Sequence, residues 1–64
     1  MARVERIIFI TYNGLTYTAS GNFISDDNAI HFAIHEVERK LKLMRGALTK
    51  YFKNNPDNIV VKLK

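Results

Sequence analysis

The stretch "AIHFAIHEVERK", residues 29–40, holds the side chains best suited to chemistry in this 64-residue chain. His31 and His35 are four residues apart. On a helix that spacing puts both imidazoles on one face, within reach of one metal ion. At about 100° per residue, Asp27 and Glu38 fall in the same wedge and are geometrically possible third ligands. A zinc-protease helix places a second histidine at the fifth position of His-Glu-x-x-His; in "HEVER" that position is Arg39. The wedge also lies opposite the apolar residues of the same segment. It is therefore read as a solvated face, with no metal, no cofactor and no catalytic residue expected.

Other catalytic patterns are missing. Gly14, Gly21 and Gly46 are too far apart to form one phosphate-binding loop. The pair Asp26 and Asp27 suits the positive end of a helix dipole better than acid–base work. A chain of this size has little room to enclose a substrate. A non-enzymatic protein is expected.

The elements that position these residues are legible. "RIIFITYNGLTYTAS" reads as a β-hairpin, because Asn13 and Gly14 tolerate the positive φ of a two-residue type I′ turn. That turn sets Tyr12 opposite Leu15, Ile10 opposite Tyr17 and Ile8 opposite Ala19, all on one face, which is the core candidate. Ile7, Phe9, Thr11, Thr16, Thr18 and Ser20 share the other face, toward water or a second subunit. Gly21 and Asn22 are expected to interrupt the second strand as a bulge or bend. Ser25 is the predicted helix N-cap.

Ile30, Ile34, Val37, Leu41, Met44, Leu48 and Tyr51 then recur at spacings of 4, 3, 4, 3, 4 and 3. This is one apolar stripe along a helix. "NNPD" (54–57) ends it, since proline cannot continue a helix. "NIVVKLK" reads as a last strand with Ile59, Val61 and Leu63 on one face. A right-handed crossover places that strand beside the first. The expected fold is a single α+β domain over residues 1–64. It has two layers in the order β-β-α-β, with a three-stranded antiparallel sheet (order 2-1-3) packed by one long amphipathic helix.

A helix over 26–53 would be about 42 Å long, against strands of roughly 17–30 Å. The excess predicts a homodimer in which the C-terminal half of the helix packs on another chain. The alternative is two helices meeting at Arg45 and Gly46. A dimer also suits a chain too small for a large core and without cysteine for disulfides. With no apolar membrane span and no secretory signal in "MARVERIIFI", a cytoplasmic location is expected.

Charge is split along the chain. Residues 1–38 hold two arginines against five carboxylates, net −3; residues 39–64 hold eight cations against Asp57, net +7. Such a split can mark a polyanion site. The first functional reading is a small basic module binding nucleic acid or a nucleoprotein through Arg39, Lys42, Arg45, Lys50, Lys53 and Lys62. The alternative is a phage- or mobile-element-type inhibitor or adaptor that occupies the surface of a host protein. Its candidate strip is Phe32, Glu36, Arg39 and Leu43, nearly opposite the apolar stripe, with Phe32 as aromatic anchor. The partners expected are thus a second copy and either nucleic acid or an acidic protein surface. No membrane or small-molecule substrate is expected.

Overall fold

A computed structural model describes residues 2–64 of the chain. Two long strands come first, β1 (Val4–Tyr12) and β2 (Leu15–Phe23). Two helices follow, α1 (Asp26–Leu41) and α2 (Ala47–Asn54), then a 3-10 turn (Pro56–Asn58) and β3 (Ile59–Leu63). The strands form one antiparallel sheet in the order β2-β1-β3, as the crossover argument expects. Asn13 and Gly14 take φ of 52° and 77°. Their turn sets the predicted register, Tyr12 to Leu15, Ile10 to Tyr17 and Ile8 to Ala19. β3 pairs on the other side of β1, Val61 to Ile8 and Ile59 to Ile10.

Ile8 and Ile10 of the central strand meet Ala29, Ala33, Ile34 and Val37 of α1 and Leu48 and Phe52 of α2 in one buried cluster. α1 starts where the sequence places it: the Ser25 hydroxyl accepts from the Asn28 N–H at 3.2 Å. Arg6 ties this corner to the sheet. Its Nε donates to Asp26 Oδ1 at 2.8 Å, and its Nη1 donates to the carbonyls of Val4 and Phe23.

The single long helix is not what forms. The chain is at most 32 Å long, too short for the roughly 42 Å of an unbroken helix. α1 stops at Leu41 because Lys42 turns into the left-handed region, φ 57°. The N–H groups of Lys42 and Leu43 then donate back to the carbonyls of Arg39 (3.2 Å) and Glu38 (2.9 Å). Those two bonds make a Schellman C-cap, here with lysine where glycine is usual. Gly46 (φ 91°) starts α2. The physical gain is burial. A straight helix would carry Leu48 past the end of the sheet, whereas the break returns Leu48 and Phe52 to the core, 1% and 7% exposed. Met44, counted in the apolar stripe, falls in the connecting loop and is 83% exposed. The overhang that suggested a dimer is therefore absent.

Two smaller expectations are also corrected. β2 is not interrupted: Gly21 and Asn22 pair regularly with Arg6 and Glu5. Gly21 instead makes space, since a Cβ there would lie 3.0 Å from Cζ of Phe23, whose ring folds back over it. Leu15 lies on the core-side face but at the hairpin tip, beyond the reach of the helices, and remains exposed.

The break can be tested by sign. In a continuous helix, Lys42→Gly would cost about 1 kcal/mol. At a left-handed cap, glycine relieves the Cβ conflict of an L-residue and is expected to stabilise the fold by roughly 0.5–1 kcal/mol. Urea denaturation midpoints distinguish the two.

Candidate functional site

A groove of about 440 Å³ is lined by Phe32, His35, Glu38, Arg39, Leu43 and Arg45. α1 supplies four of these residues, and the loop after it supplies Leu43 and Arg45. The loop lies here because the Schellman cap binds Leu43 to the last turn of α1 and because Glu38 binds the start of α2.

Glu38 makes that second attachment. Gly46 and its neighbours give α2 no side-chain cap of their own. Instead, Glu38 Oε2 accepts from the N–H groups of Gly46 (3.0 Å) and Leu48 (2.9 Å). Those amides are among the four that any helix start leaves unpaired. The carboxylate also meets the positive end of the α2 dipole. Glu38 is only 2% exposed. Its other oxygen, Oε1, is buried without a hydrogen-bond partner among the described residues and lies 3.5 Å from His35 Nδ1.

Phe32 is half covered. Its ring packs on Phe23 at 5.3 Å between centroids, tilted by 52°, and the residue stays 43% exposed. Gly21 permits this by leaving room for the Phe23 ring, so a strand glycine supports an aromatic on the helix. Arg39 and Glu36 approach to 3.8 Å, both well exposed, an ion pair of little energetic weight.

The residues read from the sequence are only partly gathered. Three of the four in the partner strip, Phe32, Arg39 and Leu43, line the groove; Glu36 does not. The wedge of His31, His35, Asp27 and Glu38 is not the uniform wet face anticipated. His31 and Asp27 are exposed and His35 is half-buried, while Glu38 is buried. Glu38 sits on the flank of α1 against which α2 folds, so the helix break covers it. Among the described residues no three His, Asp or Glu side chains gather to hold a metal ion.

The basic set is dispersed, because the helix that was to carry it is broken. Arg39 and Arg45 reach the groove, and Lys42 caps α1. Lys50 and Lys53 project from α2, and Lys62 pairs with Ile7 on the sheet face away from the helices.

Two roles escaped the sequence reading: Glu38 as a remote cap and Arg45 as a groove residue. A signal for the first exists, since "LMRG" (43–46) leads into a helix with no Ser, Thr, Asp or Asn at its start to cap it. No helix of the described residues is long and apolar enough to cross a membrane. Protein-family models, curated proteins and solved structures all give no match to this chain.

The lining of the groove combines two guanidiniums, two apolar side chains, the His35 imidazole and one carboxylate, of which Oε2 accepts from the backbone of α2 and Oε1 lies toward His35. No hydroxyl or thiol nucleophile lines it.

Replacing Glu38 by alanine leaves two amides at the start of α2 unpaired, one of them the N–H of buried Leu48. The expected loss is about 2–4 kcal/mol in urea unfolding. Glu38→Gln keeps one acceptor oxygen and is expected to lose less than half as much.

Proposed function

We propose that this protein is a small non-catalytic binding module that takes an acidic segment of a partner protein into the Phe32–Arg45 groove. An apolar side chain of that segment lies against Phe32 and Leu43, and its carboxylates meet Arg39 and Arg45. One observation carries the reading: the break in the helix brings Leu43 and Arg45 back beside Phe32 and Arg39. Buried aromatic and arginine residues are the side chains that most often dominate interface energies. Planar guanidinium forks also suit carboxylates. The module acts by occupying a surface, as an inhibitor or adaptor does.

A peptide titration tests this. A fluorescent peptide alternating glutamate with leucine and phenylalanine is expected to bind. Its lysine-for-glutamate counterpart is expected not to bind. Phe32→Asp and the double variant Arg39→Glu, Arg45→Glu are each expected to weaken binding by at least about tenfold, a loss of roughly 1.4 kcal/mol. Equal binding of the two peptides, or unchanged binding by both variants, sinks the proposal.

A second reading, nucleic-acid binding, is supported by a different observation. Arg39, Lys42, Arg45, Lys50 and Lys53 are all exposed, within a segment of net charge +7. If these five cations contact phosphates, a gel shift should weaken by more than about tenfold between 50 and 200 mM salt. No shift even at the lower salt rejects it.

A further inference from the structure

The two edges of the sheet differ in kind. The β3 edge is protected: it is five residues long, carries Lys62, and is followed by Lys64, whose Nζ lies 3.6 Å from Glu5 Oε2. Short length and lysine are what natural edge strands use to deter pairing. The β2 edge has neither device. It runs nine residues, "LTYTASGNF", with no charge and no proline. Its register with β1 is unbroken from Leu15 to Phe23, so no bulge twists it away.

The hairpin turn settles which groups this edge presents. In a two-residue hairpin, Tyr12 and Leu15 are a hydrogen-bonded pair, and such pairs alternate along an antiparallel ladder. Odd-numbered residues of β2 therefore bond to β1. The N–H and C=O groups of Thr16, Thr18, Ser20 and Asn22 point outward, away from the sheet, and of these the Asn22 carbonyl already accepts from Arg3 Nη1 at 3.3 Å.

We infer that β2 pairs antiparallel with β2 of a second copy, centred on Ala19, to give one continuous six-stranded sheet. Ala19 is the midpoint of the strand, so this register pairs its whole length. It is a closed two-fold contact, in which the same patch serves both copies. Thr18 then faces Ser20 of the partner copy, exchanging both main-chain bonds, and Thr16 faces Asn22. That makes about six bonds across the interface, leaving aside the two Asn22 carbonyls that Arg3 already occupies.

The side chains on the helix-side face agree with this register. Tyr17 lies opposite Gly21, where an aromatic can cover a strand glycine. Leu15, 60% exposed in the single chain, lies opposite Phe23, which already packs on Phe32. A second copy is a better occupant than an unrelated strand for two reasons. The strand is self-complementary about its own midpoint, and its own residues carry no charge to repel its copy; the one cation on this edge, Arg3, reaches only the Asn22 end. The inference rests on the sheet alone and does not use the groove.

Sedimentation velocity of the full chain over a range of concentrations is the primary test. A mass of twice 7.4 kDa is expected at high concentration. Thr18→Pro removes an outward N–H that no bond within one copy uses. It is expected to keep the far-ultraviolet circular dichroism of the fold while returning the mass to that of one chain. A wild-type chain that stays monomeric overturns the inference, as does a folded Thr18→Pro variant that still dimerises.

If that variant fails to fold, cross-linking decides, because the chain has no cysteine of its own. The paired Cα atoms at Ala19 would be about 4.5 Å apart, within disulfide range. Those at Thr16 would be about 20 Å apart. Mild oxidation should therefore link Ala19→Cys and not Thr16→Cys; no link at Ala19, or equal linking at both, overturns the register.

Discussion

The Glu38 carboxylate joins the two helices, and most of what distinguishes this small domain depends on it. Burying a charge is costly unless it is well hydrogen-bonded. Here two main-chain N–H groups and the positive end of α2 offset that cost through one oxygen. The same residue contributes its own carbonyl to the Schellman cap that stops α1. Its backbone therefore helps end one helix while its side chain begins the next. Leu48 enters the core with its N–H satisfied by this acceptor. Leu43 and Arg45 reach Phe32 only because the connecting loop is held at both ends.

The consequence is a molecule with two different kinds of surface. The helical side carries a groove lined by apolar and cationic side chains and by Glu38, one of whose oxygens is committed to the backbone of α2. The sheet side is bare: Ile7, Phe9 and Val60 lie on it among threonines. The residues of its long edge carry no charge, and Arg3 reaches that edge only at Asn22. The positive charge is spread around the molecule rather than concentrated along one helix. That arrangement favours several modest contacts over a single phosphate-tracking stripe.

What was legible in the sequence follows from the range of each interaction. The Asn13-Gly14 turn, the register it imposes and the Ser25 cap involve residues at most a few positions apart, so their chemistry can be read locally. A break near Gly46 was legible as an alternative, and Gly46 is indeed the N-cap of α2; that α1 already ends at Lys42 was hidden for a specific reason. The apolar spacing continues through Met44 to Leu48 without a change of phase, so periodicity alone reads one helix. Lysine is not a residue whose presence announces a left-handed cap. Gly46 was visible, but as a helix interior glycine it is only mildly unfavourable.

The sequence by itself determined the sheet order, the strand pairing, the start of α1 and most of the core, because backbone sterics and alternation specify them. Only the tertiary structure decided that Glu38 is buried, that Met44 is not, and that Phe32, Arg39, Leu43 and Arg45 share one groove. Those outcomes turn on a competition between continuing a helix into water and folding it back onto the sheet. Leu48 and Phe52 decide that competition by the apolar surface they bury, and the Glu38 carboxylate makes the return possible across a separation of eight to ten residues.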